Sequence, residues 1–136
     1  MYDKILVPMA LDHGLSPKTL KIAETLLNPG GKIIALHVYE VPKGSVSAYL
    51  GEATIREGLN RARAVMEEKT AHLPNITSEI VRGHASRSII DFTEENGVDC
   101  IVVGSHRPDL TDFLLGSTAA RVVRHAGCAV HVHREG

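Results

Sequence analysis

The sequence predicts an α/β fold: one doubly wound, five-stranded parallel sheet in the order 3-2-1-4-5, with helices on both faces. Three observations lead there. Five short runs rich in β-branched and aliphatic residues alternate with four stretches of helical spacing, and such alternation belongs to a parallel sheet covered by crossover helices. Several of the runs are continuously apolar rather than alternating, as doubly covered strands are. The 136 residues, 43% hydrophobic and only 4% aromatic, suit one domain, 1–136, around an aliphatic core.

The elements follow in order. Ile5–Pro8 reads as the first strand. Ser16–Asn28 carries Leu20, Ala23, Leu26 and Leu27 at helical spacing, with Pro17 suited to a first turn. The helix is expected to stop at Asn28-Pro29-Gly30-Gly31, a turn before the second strand, Lys32–Tyr39. That turn contains Gly-Gly-Lys, but a phosphate loop must follow a strand and open a helix, and this one does neither. Glu40–Gly51, rich in Pro, Gly and Ser, reads as a loop over the sheet edge. A second helix, about Glu52–Leu73, places Ile55, Leu59, Ala62 and Met66 on one face. Thr77–Val81 is the third strand. Ser86–Asn96 is the third helix, with Ser86 as its expected cap and Gly97 as its stop. Asp99–Gly104 is the fourth strand, Ser117–Ala126 the fourth helix and Cys128–His133 the last strand.

In an open parallel sheet, ligands bind beyond the carboxyl ends of the strands, where strand order reverses. Pro8-Met9-Ala10, His37-Val38-Tyr39 and Gly104 fall there. Gly104 lacks a Cβ and lets a ligand approach the backbone. Gly116 does the same before a helix whose Ser117 and Thr118 offer hydroxyls and N-terminal N–H groups to an anion. His106 and Arg107 add donors. These parts make a phosphate cradle, but they equally suit a plain strand–loop–helix connection in which Ser117 is an N-cap. The residue types leave both readings open.

The order of elements, the start KILVPM, the segment ALHVYEVP and above all GSHRPDLTDFLLGSTAARVVRHAGCAVHVH resemble the universal stress protein family, in its F/G-type bacterial branch. The resemblance spans essentially the whole chain. The nucleotide-binding members carry G-x2-G-x9-G-[ST] between the fourth strand and fourth helix and bind ATP there. The resemblance implies Gly104 as the first glycine and Gly116-Ser117 as the last pair, with Ser105, His106 and Thr118 in the same loop and helix start. Arg107 stands where the second glycine would be, and eight residues, Pro108–Leu115, separate it from Gly116. An arginine there implies a charge-assisted bond to phosphate in place of backbone freedom. The family also has an aspartate two residues beyond the strand-one proline. Here that position is Ala10, and the nearest acid is Asp12. Val38 matches the residue that offers its backbone to adenine, and Pro8 and Met9 match the apolar floor. The implied ligand is ATP, alone or with Mg2+.

Other signals set limits. With 15 Lys+Arg against 16 Asp+Glu and a net charge of -1, nothing draws the chain to nucleic acid or an anionic membrane. No apolar run reaches a membrane-spanning length, and the start lacks a signal-peptide pattern, so the cytoplasm is the expected compartment. Cys100 and Cys128 are far apart and read as packing thiols. His131 and His133 share a strand face, but no carboxylate or Cys joins them in a metal pattern. Ser105 and His106 are sequence neighbours, which rarely makes a triad; no catalytic residue is assigned. The last strand is expected at an edge with no Lys or Pro to blunt it. Pairing Ala129, Val130, His131, Val132 and His133 with a second copy closes it as a homodimer, a habit the resemblance also implies. His131 and His133 would meet at that seam, where their protonation toward pH of about 5–6 brings like charges together. The expected function is that of an ATP-binding, homodimeric stress-response regulator acting through an unidentified protein partner. A nucleotide-free interaction module and a slow ATPase or phosphotransfer protein are the alternatives.

Overall fold

Five parallel strands, β1 (Tyr2–Pro8), β2 (Leu27–Tyr39), β3 (Ile76–Arg82), β4 (Cys100–Gly104) and β5 (Ala129–His133), lie side by side in the order β3-β2-β1-β4-β5. Four helices connect them: α1 (Pro17–Leu26), α2 (Ser45–Thr70), α3 (Ala85–Asn96) and α4 (Ser117–His125). This computed structural model describes residues 1–11, 16–40, 45–104 and 116–134, with 45–50 described as backbone alone.

The chain first steps outward through β2 and β3, then crosses back to β4 and β5. Right-handed crossovers stepping one way place α1 and α2 on one face, and those stepping the other way place α3 and α4 on the opposite face. Ala23 of α1 packs with Ile5, Val7, Ile33, Cys100 and Val102 on one face, and Met66 of α2 with Met9 and Ala35. Ile89 of α3 and Ala119 and Val122 of α4 pack with Leu6, Ile34, Leu36, Ile101 and Val103 on the other. The expected doubly wound sheet is therefore the observed one. Because both faces are covered, Ile5–Val7 and Cys100–Val103 are all buried, which explains why those strands read as unbroken apolar runs.

The element ends differ from the sequence expectation in instructive ways. Ser16 does cap α1, its hydroxyl accepting from Thr19 N at 3.0 Å. Strand β2 begins at Leu27, earlier than expected, because Leu27 pairs with Tyr2 before the register jumps to Lys4–Lys32. Asn28–Gly31 is thus a turn bulged out within the strand, with Gly30 at φ +82, where a side chain would be strained. Residues 45–50, expected as loop, are helical, and Gly51 (φ 73) breaks them from the rest of α2. Ser86 does not cap α3: His84 holds the cap position, and Ser86 is buried in the first turn. Ser117 does not cap α4 either; Gly116 does, and Ser117 is the first helical residue. Gly97 ends α3 in the left-handed conformation, as its position suggested. Asp99 stands just before β4 because its carboxylate accepts from the backbone N–H groups of Asp3 and Lys4, at 2.9 and 3.0 Å.

Candidate nucleotide cleft

The carboxyl ends of the strands surround a cleft of about 550 Å3, a size ordinary for a small-molecule site. It is lined by Pro8, Met9 and Ala10 beyond β1, by Val38 and Tyr39 at the end of β2, and by Ala85, Ile89 and Thr118 from the starts of α3 and α4. Pro8, Met9, Ala10, Val38 and Thr118, singled out in the sequence, are therefore brought together. Gly104 ends β4 beside β5, paired with His133. Gly116 is buried at the cap of α4, and Ser117 is exposed on its first turn. Asp12, Ser105, His106 and Arg107 lie outside the described residues.

The sheet pattern explains what Val38 offers. The last rung between β1 and β2 pairs Pro8 with Leu36, and Met9 N donates to Leu36 O at 2.9 Å. Along a parallel strand, alternate residues bond to alternate neighbours. Leu36 bonds toward β1, so Val38 points its N–H and C=O the same way, above the last rung and into the cleft. Tyr39 turns the other way, its carbonyl accepting from Gly83 N at 3.1 Å. A planar heterocycle lying over Pro8 and Met9 meets one donor and one acceptor along the Val38 edge.

The opposite end of the cleft suits an anion. Gly116 has no side chain with which to cap the N–H groups of the first turn of α4, and Thr118 of that turn lines the cleft. Among the described residues, a Cβ built on Gly104 would meet nothing nearer than His133 Nε2 at 3.9 Å. The packing of the described residues thus makes no demand for glycine at 104.

Two cleft residues carry chemistry that the sequence reading did not assign. His37 Nδ1 lies 3.0 Å from Met9 O, and the imidazole holds the segment after β1 against β2. Glu40 accepts from Ala85 N at 2.9 Å, so its carboxylate sits on the N-terminus of α3 at the cleft rim, where the helix dipole favours it. Neither has a sequence signal beyond lying at a strand end, because both partners are distant in the chain. Among the described residues no group of three or more His, Cys, Asp or Glu stands together as a metal site, and no helix is long and apolar enough to cross a membrane.

Comparison with known proteins agrees with this geometry. Residues 1–134 match the sequence model of the universal stress protein family. The chain belongs to the universal stress protein family. Universal stress protein G of Salmonella typhimurium is 34% identical over 98% of this chain and 100% of its own length, which supports the F/G-type branch. The solved structure of hypothetical protein MJ0577 is similar with a TM-score of 0.72 at 26% identity, over 100% of this chain and 98% of that one. Two further universal stress protein structures share the fold. One, in complex with cAMP, has a TM-score of 0.55 at 22% identity, over 99% and 98% of the two chains. The other, from Archaeoglobus fulgidus with dAMP, has 0.57 at 18%, over 96% and 97%.

Strand β5 is an edge strand, bonded to β4 on one side. Its side chains alternate as expected. Val130 and Val132 pack against the α3–α4 core, while Ala129 and His131 are exposed on the other face. His133 is placed differently from the seam position expected for it. It is only 6% exposed, with its Nε2 bonded to Thr19 Oγ1 of α1.

Proposed function

We propose that this universal stress protein binds ATP in the cleft over β1, β2 and β4 and works as a homodimer that acts on partners rather than by rapid catalysis. The observation that carries the reading is the pairing of two features across one cleft: the outward backbone edge of Val38 and the first turn of α4, whose cap residue Gly116 has no side chain to fill it. Adenine lies on Pro8 and Met9 and reads the Val38 N–H and C=O. The phosphates run over Gly104 to Ser117 and Thr118, with Arg107 supplying charge from the intervening loop. Ala10 leaves this stretch without the family's aspartate, and Glu40 is the carboxylate on the described rim. ATP enters alone or as its Mg2+ complex. The cAMP and dAMP complexes of two proteins of this fold are in keeping with an adenine site.

The dimer is proposed on the edge of β5. Val123, 45% exposed, stands on the flank of α4 that faces away from α3, on the β5 side. With Ala129–Val132 it forms a self-complementary strip of the kind that closes across a two-fold axis.

The test of the nucleotide reading has two arms. Purified protein is denatured and the released nucleotide identified; ATP supports binding without turnover, and ADP or AMP indicates chemistry. Calorimetry then compares wild type with Gly104→Val, at a position where a Cβ meets nothing nearer than 3.9 Å among the described residues. ATP affinity should fall at least ten-fold, since a side chain there blocks phosphate approach. Equal affinity in the two folded proteins overturns the site.

A further inference from the structure

A second groove, of about 560 Å3, runs between α3 and α4. His84, Arg87 and Asp91 line it from the α3 side, spaced by three and four, and Arg121 and His125 from α4, spaced by four. Such spacing keeps each set along one side of its helix. All five are exposed, and Ile90 supplies an apolar floor between them. Arg121 Nη1 points across the groove at His84 Nε2, 3.4 Å away, so the two walls converge at the upper end.

The charge is unbalanced. Among the described residues Arg82 is paired with Glu52 at 2.7 Å, whereas neither Arg87 nor Arg121 has a carboxylate within ion-pair distance. Asp91 is the single acid among the described residues that line the groove. This local excess of N–H donors stands out in a chain whose net charge is -1. The groove also adjoins the nucleotide cleft. Ala85 and Ile89 line the cleft and their neighbours Ser86 and Ile90 line the groove, while Thr118 of the cleft lies one turn from Arg121.

We propose that this groove docks an acidic segment of a partner protein. The donors extend over two helical turns, about 10 Å, which is long for one phosphate. An extended peptide carries alternate side chains on one face about 7 Å apart, so two carboxylates on that face reach Arg87 and Arg121. Nucleic acid needs a row of cations along a backbone, and this groove has two arginines. A partner seated here lies one helical turn from the nucleotide.

Fluorescence anisotropy tests the proposal with a labelled octapeptide of alternating Glu and Ala and its Lys counterpart, on the full chain at low salt. The acidic peptide should bind more tightly, and binding should weaken with added salt. Arg87→Ala with Arg121→Ala should raise its Kd about ten-fold. Arg61→Ala, on the exposed face of α2, should change nothing. Arg87→Glu with Arg121→Glu should transfer the preference to the Lys peptide, an outcome that a merely unfolded variant would not produce. ATP affinity should be the same in every variant. Equal binding of the two peptides, or an unaltered Kd in the double variant, overturns the proposal. So does a parallel loss of ATP affinity, which assigns the arginines to the nucleotide site. A wild type that binds peptide but no ATP would refute the nucleotide reading alone.

Discussion

Gly58, in the middle of α2, offers a test in which a normally favourable substitution should change sign. Replacing an interior helical glycine by alanine ordinarily stabilises by about 1 kcal/mol. Here a Cβ at position 58 would run into the Tyr39 hydroxyl, with Tyr39 Cζ next at 3.1 Å. Tyr39 ends β2 and lines the cleft at the strand ends, so the conflict is relieved only by turning the ring or moving α2. Overpacking of this kind costs about 1–3 kcal/mol. Gly58→Ala should therefore destabilise by about 1 kcal/mol, or about 4 °C in Tm. In the Tyr39→Phe background the oxygen is gone and the ring carbon is tight without overlapping. There the same change should be neutral or stabilising, giving a coupling of about 1–2 kcal/mol between the two sites. Urea unfolding of the four proteins measures it, and ATP titration of Gly58→Ala should show weaker binding because the cleft wall has moved. Equal effects of Gly58→Ala in both backgrounds would refute the contact and its link to the cleft.

Other expectations follow from the site, the edge and the core. Arg107→Ala should weaken ATP about ten-fold and adenosine hardly at all, as loss of a charge-assisted bond to phosphate requires; calorimetry showing equal losses would make Arg107 a shaper of the loop. Light scattering should find a dimer at micromolar concentration and a monomer for Val132→Pro, and a monomeric wild type would remove the β5 seam. Burial pushes the Cys100 thiol up to about 11 from 9.0, with Cys128 and Asp99 adding to the rise. A raised acid is protonated in the folded state, so its contribution is complete below the unfolded value and lost as pH climbs through the folded one. The urea midpoint should therefore fall between about pH 9 and 11 more steeply in wild type than in Cys100→Ala, and matching slopes would contradict this. At neutral pH iodoacetamide should modify Cys128 before Cys100, because the latter is buried and almost wholly thiol; mass spectrometry of the time course reads the order.

Periodicity and turn chemistry were enough to determine the alternation of elements, the doubly covered central strands and the edge position of β5, because each depends on local spacing and on how much of a strand is apolar. They were also enough to place Pro8, Met9 and Val38 at strand ends, where the structure brings them together along one cleft. The Gly104–Thr118 loop could be read as a cradle only through family resemblance, because glycine and serine before a helix serve caps and phosphates alike. Tertiary structure decided what depends on partners distant in sequence. Leu27 joined β2 because Tyr2 was there to pair with it, and Asp99 left β4 because its carboxylate found the backbone of Asp3 and Lys4. Gly116 rather than Ser117 took the cap of α4. The outward edge of Val38 follows from where β1 stops, and the roles of His37 and Glu40 follow from Met9 and Ala85 being brought beside them. His133, which alternation places correctly on its face, is buried because α1 sets Thr19 against it. The α3–α4 groove exists only once two helices separated by a strand and a loop lie side by side, so that arginines with no sequence relation to one another share a single field.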